Sequence, residues 1–350
     1  MCEQRVDPPR FVRQTEPTTK EVIAVDDASV PRVLVVGRCS VDVYPQQVGV
    51  QLEDVQTFSK FLGGSATNVA VACARYRPGV TSLTGVGDDP FGRFVVQELE
   101  SCGVDASHVV VNPAFNTPVT FCEVFPPDNF PLYFYRQPST PDLQLSPDDL
   151  PAELDRFDLI WLTASGLSVE PSRETHRHLA RAKGESTIVF DLDYRERFWD
   201  DELTASAHIG AMLEHADVAI GNLEECRIAV GESDPERAAD ALLDRGVGIA
   251  IVKQGPVGTL AKSRTERTFV PATSIDVVCG LGAGDAFGGA VCHALLSGWD
   301  LTRMIQFASA AGAIVASKLE TSPAMPTLEQ VEDMLAAHPE VAAATESSRR

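Results

Sequence analysis

Gly280-Leu281-Gly282-Ala283-Gly284-Asp285-Ala286-Phe287 is a run of small residues that opens into a helical pattern, with Phe287, Val291, Ala294 and Leu295 recurring on one face. Small residues at a loop-to-helix junction let backbone N–H groups approach an anion. The helix N-terminus adds partial positive charge. Asp285 falls in the first turn, beside those amides. A carboxylate there would be repelled by a bound phosphate unless it had a chemical task. The task that fits is general base toward a hydroxyl that attacks phosphorus. The same spacing also suits an Asp that merely starts a helix after a glycine turn, and pattern alone leaves both readings open.

Around this run, short apolar stretches alternate with helical patterns. Residues 33–36, 80–84, 159–162, 188–190, 218–220 and 249–252 read as strands. Helices are predicted over 68–76, with Val69, Ala72, Cys73 and Tyr76 on one face, and over 91–101, with Phe91, Val95 and Leu99 on one face. The alternation predicts a mostly parallel sheet with helices on both faces, an α/β fold. Residues 44–61 and 118–136 break the rhythm: they alternate like half-exposed strands and carry turn residues. They read either as a small β flap over a ligand or as two edge strands of the main sheet.

The 350 residues carry 29 Lys and Arg against 50 Asp and Glu, a formal charge of −21, and 44% are hydrophobic. Such a chain can bury a sizeable core, while its charge argues against a nucleic-acid or anionic-membrane surface. Eight scattered cysteines contain no C-x-x-C pair and read as reduced core thiols, and no apolar run is long enough to span a bilayer. The expectation is a cytoplasmic protein, with a flexible leader at 1–31, one folded domain at 32–336 and a flexible tail at 337–350. There is no G-x-x-x-x-G-K-[ST], no complete G-x-G-x-x-G and no H-E-x-x-H. A P-loop NTPase, a dinucleotide-dependent dehydrogenase and a zinc hydrolase therefore lack their anchors.

Two further features carry chemistry. In Phe61-Leu62-Gly63-Gly64-Ser65-Ala66-Thr67-Asn68, paired glycines precede a helix and admit a ligand close to the backbone. Asn68 can donate to and accept from a hydroxyl. Gly37-Arg38-Cys39-Ser40-Val41-Asp42 follows the first strand, and ligands of open parallel sheets bind beyond strand carboxyl ends, which suits Asp42 to polyol recognition. Each reads equally as an ordinary turn or cap.

Taken together, in this order, these residues resemble the PfkB/ribokinase family of carbohydrate kinases: Ser40 and Asp42 after strand one, Gly63, Gly64 and Asn68, Asn222 with Glu225, and the Gly282–Asp285 loop. The resemblance covers roughly residues 32–335. It implies a ribokinase-like three-layer α/β/α sandwich with a small β-strand lid, built from the two irregular stretches. It casts Asp285 as the base and the amides of Gly282, Ala283 and Gly284 as an anion hole. Asp42, Gly63, Gly64 and Asn68 become sugar-binding residues. Lys253, Gly255, Gly258, Asn222 and Ser309 become nucleotide-binding residues, and Asn222 with Glu225 would organise Mg²⁺ through water. Glu225 beside Glu224 reads equally as a solvated helix face, and Lys253 as a surface lysine. The chain departs from the family in having Cys279-Gly280 where Asp-Thr is usual, which bears on phosphate contacts and on a monovalent cation.

Within the family, the phrases around Arg38, Gly64 and Asp285 resemble a branch that uses ATP to phosphorylate the terminal hydroxyl of a sugar acid, 5-dehydro-2-deoxy-D-gluconate, in inositol catabolism. A carboxylate substrate needs a local cation in so acidic a protein, and Arg136 and Arg38 are the candidates. Arg195 is placed either on nucleotide phosphates or on a carboxylate. A 2-keto-3-deoxygluconate kinase is the near rival, and a non-catalytic sugar sensor the rival from another class. Lid pairing between subunits would make a homodimer.

Overall fold

A computed structural model describes residues 30, 32–126, 128–339 and 341. The expected leader, apart from Val30, and the tail beyond Val341 lie outside the described residues. The architecture is that of the unit Pro31–Arg350.

In chain order the strands are β1 (Val33–Val36), β2 (Ser40–Pro45), β3 (Phe58–Gly63), β4 (Val80–Val86), β5 (Val109–Val111), β6 (Val119–Cys122), β7 (Leu132–Tyr135), β8 (Leu159–Thr163), β9 (Thr187–Asp191), β10 (Val218–Asn222), β11 (Ile249–Lys253), β12 (Gly258–Lys262) and β13 (Arg267–Pro271). The helices are α1 (Ser65–Ala74), α2 (Pro90–Ser101), α3 (Ser172–Arg181), α4 (Glu202–Met212), α5 (Leu223–Val230), α6 (Pro235–Asp244), α7 (Ala283–Leu296), α8 (Leu301–Ala316) and α9 (Leu328–Ala337).

Nine strands form one sheet in the order β13-β12-β11-β10-β9-β8-β1-β4-β5. The pairs from β11 to β5 are parallel, and β12 and β13 close the other edge antiparallel. Strand alternation builds two cores. Val33 and Val35 of β1 pack on the side of α1, α7 and α8, whereas Leu34 and Val36 pack on the side of α3, α4, α5 and α6. This is the α/β sandwich that the alternating pattern predicts. Full burial of each such side chain contributes about 1.5–3 kcal/mol.

Two details differ from the sequence reading. In α1 every residue from Ser65 to Cys73 is buried, because the helix lies between the sheet and α7 and has no solvent face. In α2 Val95 and Leu99 point inward but Phe91 is exposed, since it sits one residue inside the helix start, on the outer side of the first turn.

A second sheet of four strands, in the order β3-β2-β6-β7, stands apart from the first. Its alternation gives it two unlike faces. Asp42, Tyr44, Thr120, Leu132 and Phe134 face a cleft against the main domain. Phe58, Phe121 and Tyr135 stack edge to face on the opposite side, with centroids 5.7 and 5.5 Å apart.

Candidate active site

The cleft between the two sheets, about 180 Å³, gathers residues from six separate stretches of chain. Two helices start on it, and both start without a side-chain cap. Gly64 precedes α1 at φ +94°, and Gly282 precedes α7 at φ +79°. At Gly64 a Cβ would lie 2.5 Å from the Cys39 Cα, and at Gly282 one would lie 2.9 Å from the Thr321 Cγ2. Glycine is thus required twice over, by backbone conformation and by close approach. At Gly63 a Cβ would collide with the Asp42 carboxylate at 1.9 Å, so this glycine makes room for Asp42 itself.

Asp285 lies in the first turn of α7. Asn68 of α1 donates from Nδ2 to its Oδ2 at 2.8 Å, across 217 residues of sequence. The Asn68 Oδ1 in turn accepts from the Ser322 hydroxyl at 2.8 Å, which fixes the amide orientation. Burial pushes the Asp285 carboxyl above its ordinary range, opposed by the Asn68 hydrogen bond and by Arg38. A carboxylate raised in this way is a better proton acceptor. Asn68 was expected as a sugar ligand; the structure spends both ends of its amide internally, leaving one N–H for a bound molecule.

Asp42 also faces the cleft, but from β2 of the small sheet and not from the end of β1, where the sequence reading put it. The turn Gly37-Arg38-Cys39 separates the two strands. Ser40 donates to Asp42 Oδ1 at 2.6 Å. Burial pushes the Asp42 carboxyl up to about 6, against the pull of Ser40 and Arg38.

The two arginines proposed as carboxylate ligands part company. Arg136 is buried, 7% exposed, and Asp142 takes its guanidinium at 2.5 Å. Thr140 accepts from it at 2.8 Å and the Cys39 carbonyl at 3.4 Å. A buried guanidinium needs a counter-charge, and this one has it before any substrate arrives. Arg136 does not line the cleft. Arg38 does, together with Arg195. Arg38 reaches Asp193 only at 3.4 Å, with Phe134 and Phe198 about its guanidinium at 6.0 and 5.9 Å.

Asn222 and Glu225 close on each other. Asn222 Oδ1 accepts from the Glu225 N–H at 2.9 Å, and Glu225 Oε2 accepts from the Asn222 N–H at 2.7 Å, a complete capping box on α5. Glu225 is buried and Glu224 exposed, which separates two residues that the sequence left equivalent. The remaining Glu225 oxygen, Oε1, lies 3.6 Å from Arg195. Among the described residues no group of three acidic, His or Cys side chains is arranged to hold a metal ion directly.

Lys253 ends β11 half-buried, and a Cβ on Gly284 would lie 3.5 Å from its Nζ. Burial pulls its ammonium down, but Glu225, Asp191 and Asp285 outweigh this and hold it above its ordinary value. Asp191 itself is pushed up to about 7 by burial, despite Lys253. Gly255 is exposed, Gly258 turns at φ +137° against the Val270 carbonyl, and Ser309 is half-buried on α8; none of the three lines the cleft. Cys279, where the family has Asp, is buried in an apolar patch with Tyr44, Cys122 and Val124 and offers no oxygen to a hard cation. Sequence reasoning missed Ser322, Asp142 and Asp193, whose partners lie far off or whose context is generic. The Asp-x-Arg spacing of Asp193 and Arg195 after β9 was the one available signal.

An open sheet with a glycine-opened helix start, a buried carboxylate in its first turn and a small sheet across the cleft is an arrangement chemically suited to phosphoryl transfer on an α/β scaffold. The chain belongs to the pfkB family of carbohydrate kinases, whose family model matches residues 30–328. It is similar to the 5-dehydro-2-deoxygluconokinase of Geobacillus thermodenitrificans, 32% identical over 86% of this chain and 92% of that one, and to that of Photobacterium profundum, 32% identical over 86% and 94%. Among solved structures it resembles a double mutant of Vibrio cholerae fructokinase with fructose, ADP and potassium bound (26% identity, TM-score 0.79, covering 88% of this chain and 99% of that one). It also resembles Salmonella enterica aminoimidazole riboside kinase with its riboside and an ATP analogue (26%, TM-score 0.74, covering 87% and 99%). The protein is a carbohydrate kinase.

Proposed function

We propose that the chain transfers the γ-phosphoryl group of ATP to the terminal hydroxyl of a sugar acid, 5-dehydro-2-deoxy-D-gluconate, as in inositol catabolism. The names of its curated relatives support that substrate, and one observation in the cleft carries it: Arg38, loosely paired, stands beside Asp42 and Asp285, and among the described residues lining this space the only other cation is Arg195. Asp285 takes the proton of the attacking hydroxyl. The free N–H groups opening α7 receive the oxygens of the transferred phosphoryl, and Asp42 accepts from other hydroxyls of the acceptor. Arg38 binds the carboxylate in place of Arg136. Closure of the small sheet as a lid over residues 44–61 and 118–136 excludes water.

The donor set suits a hydrated Mg²⁺ and not a directly ligated one, because Asn222 Oδ1 and Glu225 Oε2 are committed to the cap. Glu225 Oε1 and Asp191 would accept from its water ligands. When bound, the ion would neutralise charge developing on the phosphates. Cys279-Gly280 brings no oxygen side chain to the place of a monovalent cation. Lys253 and the loop through Gly255 and Gly258, with Ser309, would border the nucleotide.

The outer face of the small sheet supports a homodimer through the lid, with Phe58 39% and Tyr135 64% exposed there. The seven described cysteines are all unpaired, which supports a reducing, cytoplasmic compartment. No helix among the described residues is long and apolar enough to cross a membrane.

The reading is tested by ADP release from Arg38→Gln and Arg136→Gln with acid and neutral acceptors. Arg38→Gln is expected to raise the apparent KM for the sugar acid about tenfold, the scale of a lost charge-assisted pair, and to leave fructose unchanged. Arg136→Gln should lower stability and affect both acceptors alike. An unchanged KM for the acid in Arg38→Gln would rule out the assignment.

A further inference from the structure

Asp193 follows β9 in the loop Asp191-Leu192-Asp193-Tyr194-Arg195, and its side chain is 2% exposed. One carboxylate there serves two cleft-lining arginines unequally. Arg195 Nη2 reaches its Oδ1 at 2.8 Å. Ser165 donates to Oδ2 at 2.8 Å, and the Ser165 hydroxyl lies 3.1 Å from that of Thr163 at the end of β8. Arg38 comes no closer than 3.4 Å by Nε or Nη2. So Asp193 is anchored to the main sheet and holds Arg195 firmly, whereas its contact with Arg38 is long and easily given up. Arg38 is otherwise kept in place by Phe134 of the small sheet and Phe198, whose rings meet edge to face at 5.2 Å.

We propose that Asp193 is a positioning residue that tempers the cleft's affinity for acid acceptors: it occupies Arg38 until the carboxylate of an acid substrate displaces it. A neutral sugar offers nothing to replace the internal pair, so Arg38 stays turned toward Asp193. An acid substrate makes the exchange at a cost to its affinity, giving up a 3.4 Å internal contact for a close bidentate one. Arg195 does not move, because its shorter bond to Asp193 and its approach to Glu225 at 3.6 Å hold it on the nucleotide side. Asp193 touches no reacting atom. It acts through the two arginines. This role rests on the sugar-acid reading of the cleft.

The test is steady-state ADP release by wild type, Asp193→Asn and Ser165→Ala with 5-dehydro-2-deoxy-D-gluconate, and with fructose as alternative acceptor or competitor. Asp193→Asn removes the internal rival for Arg38. The apparent KM for the acid should fall by at least about tenfold at low salt, since one charge a few ångströms from an anion at effective ε ≈ 20 is worth more than that factor. The gain should shrink at high salt. Meanwhile kcat should drop as Arg195 loses its anchor, and the constant for fructose should stay within about twofold. Ser165→Ala, which only loosens Asp193, should shift the acid KM in the same direction by about two- to threefold, and it decides the matter if Asp193→Asn does not fold. Equal changes for acid and fructose, or a raised acid KM, would overturn the role of Asp193 while leaving the sugar-acid reading intact. A wild type that shows no preference for the acid removes that reading and this proposal together.

Discussion

Two helices begin at the carboxyl edge of the main sheet and handle their first-turn amides in opposite ways. At α5 the Asn222–Glu225 box satisfies the amides from within. At α7 the preceding residue is Gly282, no side chain caps the turn, and Asp285 faces the cleft across from Asp42. Elsewhere α2, α4, α6, α8 and α9 are capped by Asp or Thr side chains. Capping stabilises by about 1 kcal/mol; of the helices that start without a side-chain cap, α1 and α7 open on the cleft and α3 does not, so a bare start marks a binding place only where it faces the cleft. The contrast teaches that the same structural element, with one residue changed at its cap, becomes either scaffold or anion site.

The largest effect should come from the bare end. Asp285→Asn is expected to lower kcat by about 10²–10⁴, the range for loss of a general base, with an unaltered melting temperature. Near-wild-type turnover would return Asp285 to an ordinary helix-start residue. Next, Gly282→Ala forces a side chain into a left-handed conformation and against Thr321, and should lower kcat by roughly tenfold to a hundredfold through the displaced amides. At the closed end the effect should be on stability. Asn222→Ala is expected to cost about 1 kcal/mol, read as a fall in melting temperature, with kcat changed less than at either α7 variant. A larger loss of turnover than of stability there would mean that α5 belongs to the chemistry after all.

The smallest effect is in the pH profile. Both cleft carboxylates must be ionised to accept, and burial raises both, Asp42 to about 6, so kcat/KM should fall as pH drops through about 6 rather than near 4. Asp42→Asn should remove the contribution of Asp42 to the fall near 6. The stability linkage runs the other way. A carboxyl whose folded pKa lies above its unfolded value binds its proton first in the folded state, so Asp42 favours folding more as pH falls from about 6 toward 4.

Legibility in the sequence divides along the same line between local and distant. The β1 run, the alternation of strands with helices and the open α7 start are local patterns, and each was legible. So was the Asn222–Glu225 pair, although its three-residue spacing fits a cap as well as a metal site. Partners set by topology were not legible. Asn68 meets Asp285 across 217 residues, and Arg38 meets Asp193 across 155. Arg136 looked free in an aromatic strand because nothing in Thr140-Pro141-Asp142 says that the chain turns back to neutralise it. Asp42 was placed at a strand end because spacing cannot tell the last residue of one sheet from the first strand of another.

The central claim, that this cleft phosphorylates a sugar acid, is met most directly by coupled ADP release from the wild-type chain across 5-dehydro-2-deoxy-D-gluconate, 2-keto-3-deoxygluconate, fructose and ribose. The account predicts the highest kcat/KM on the first, with both acids at least about tenfold above both neutral sugars. Comparable turnover on all four, or sugar binding without ADP release, would contradict it.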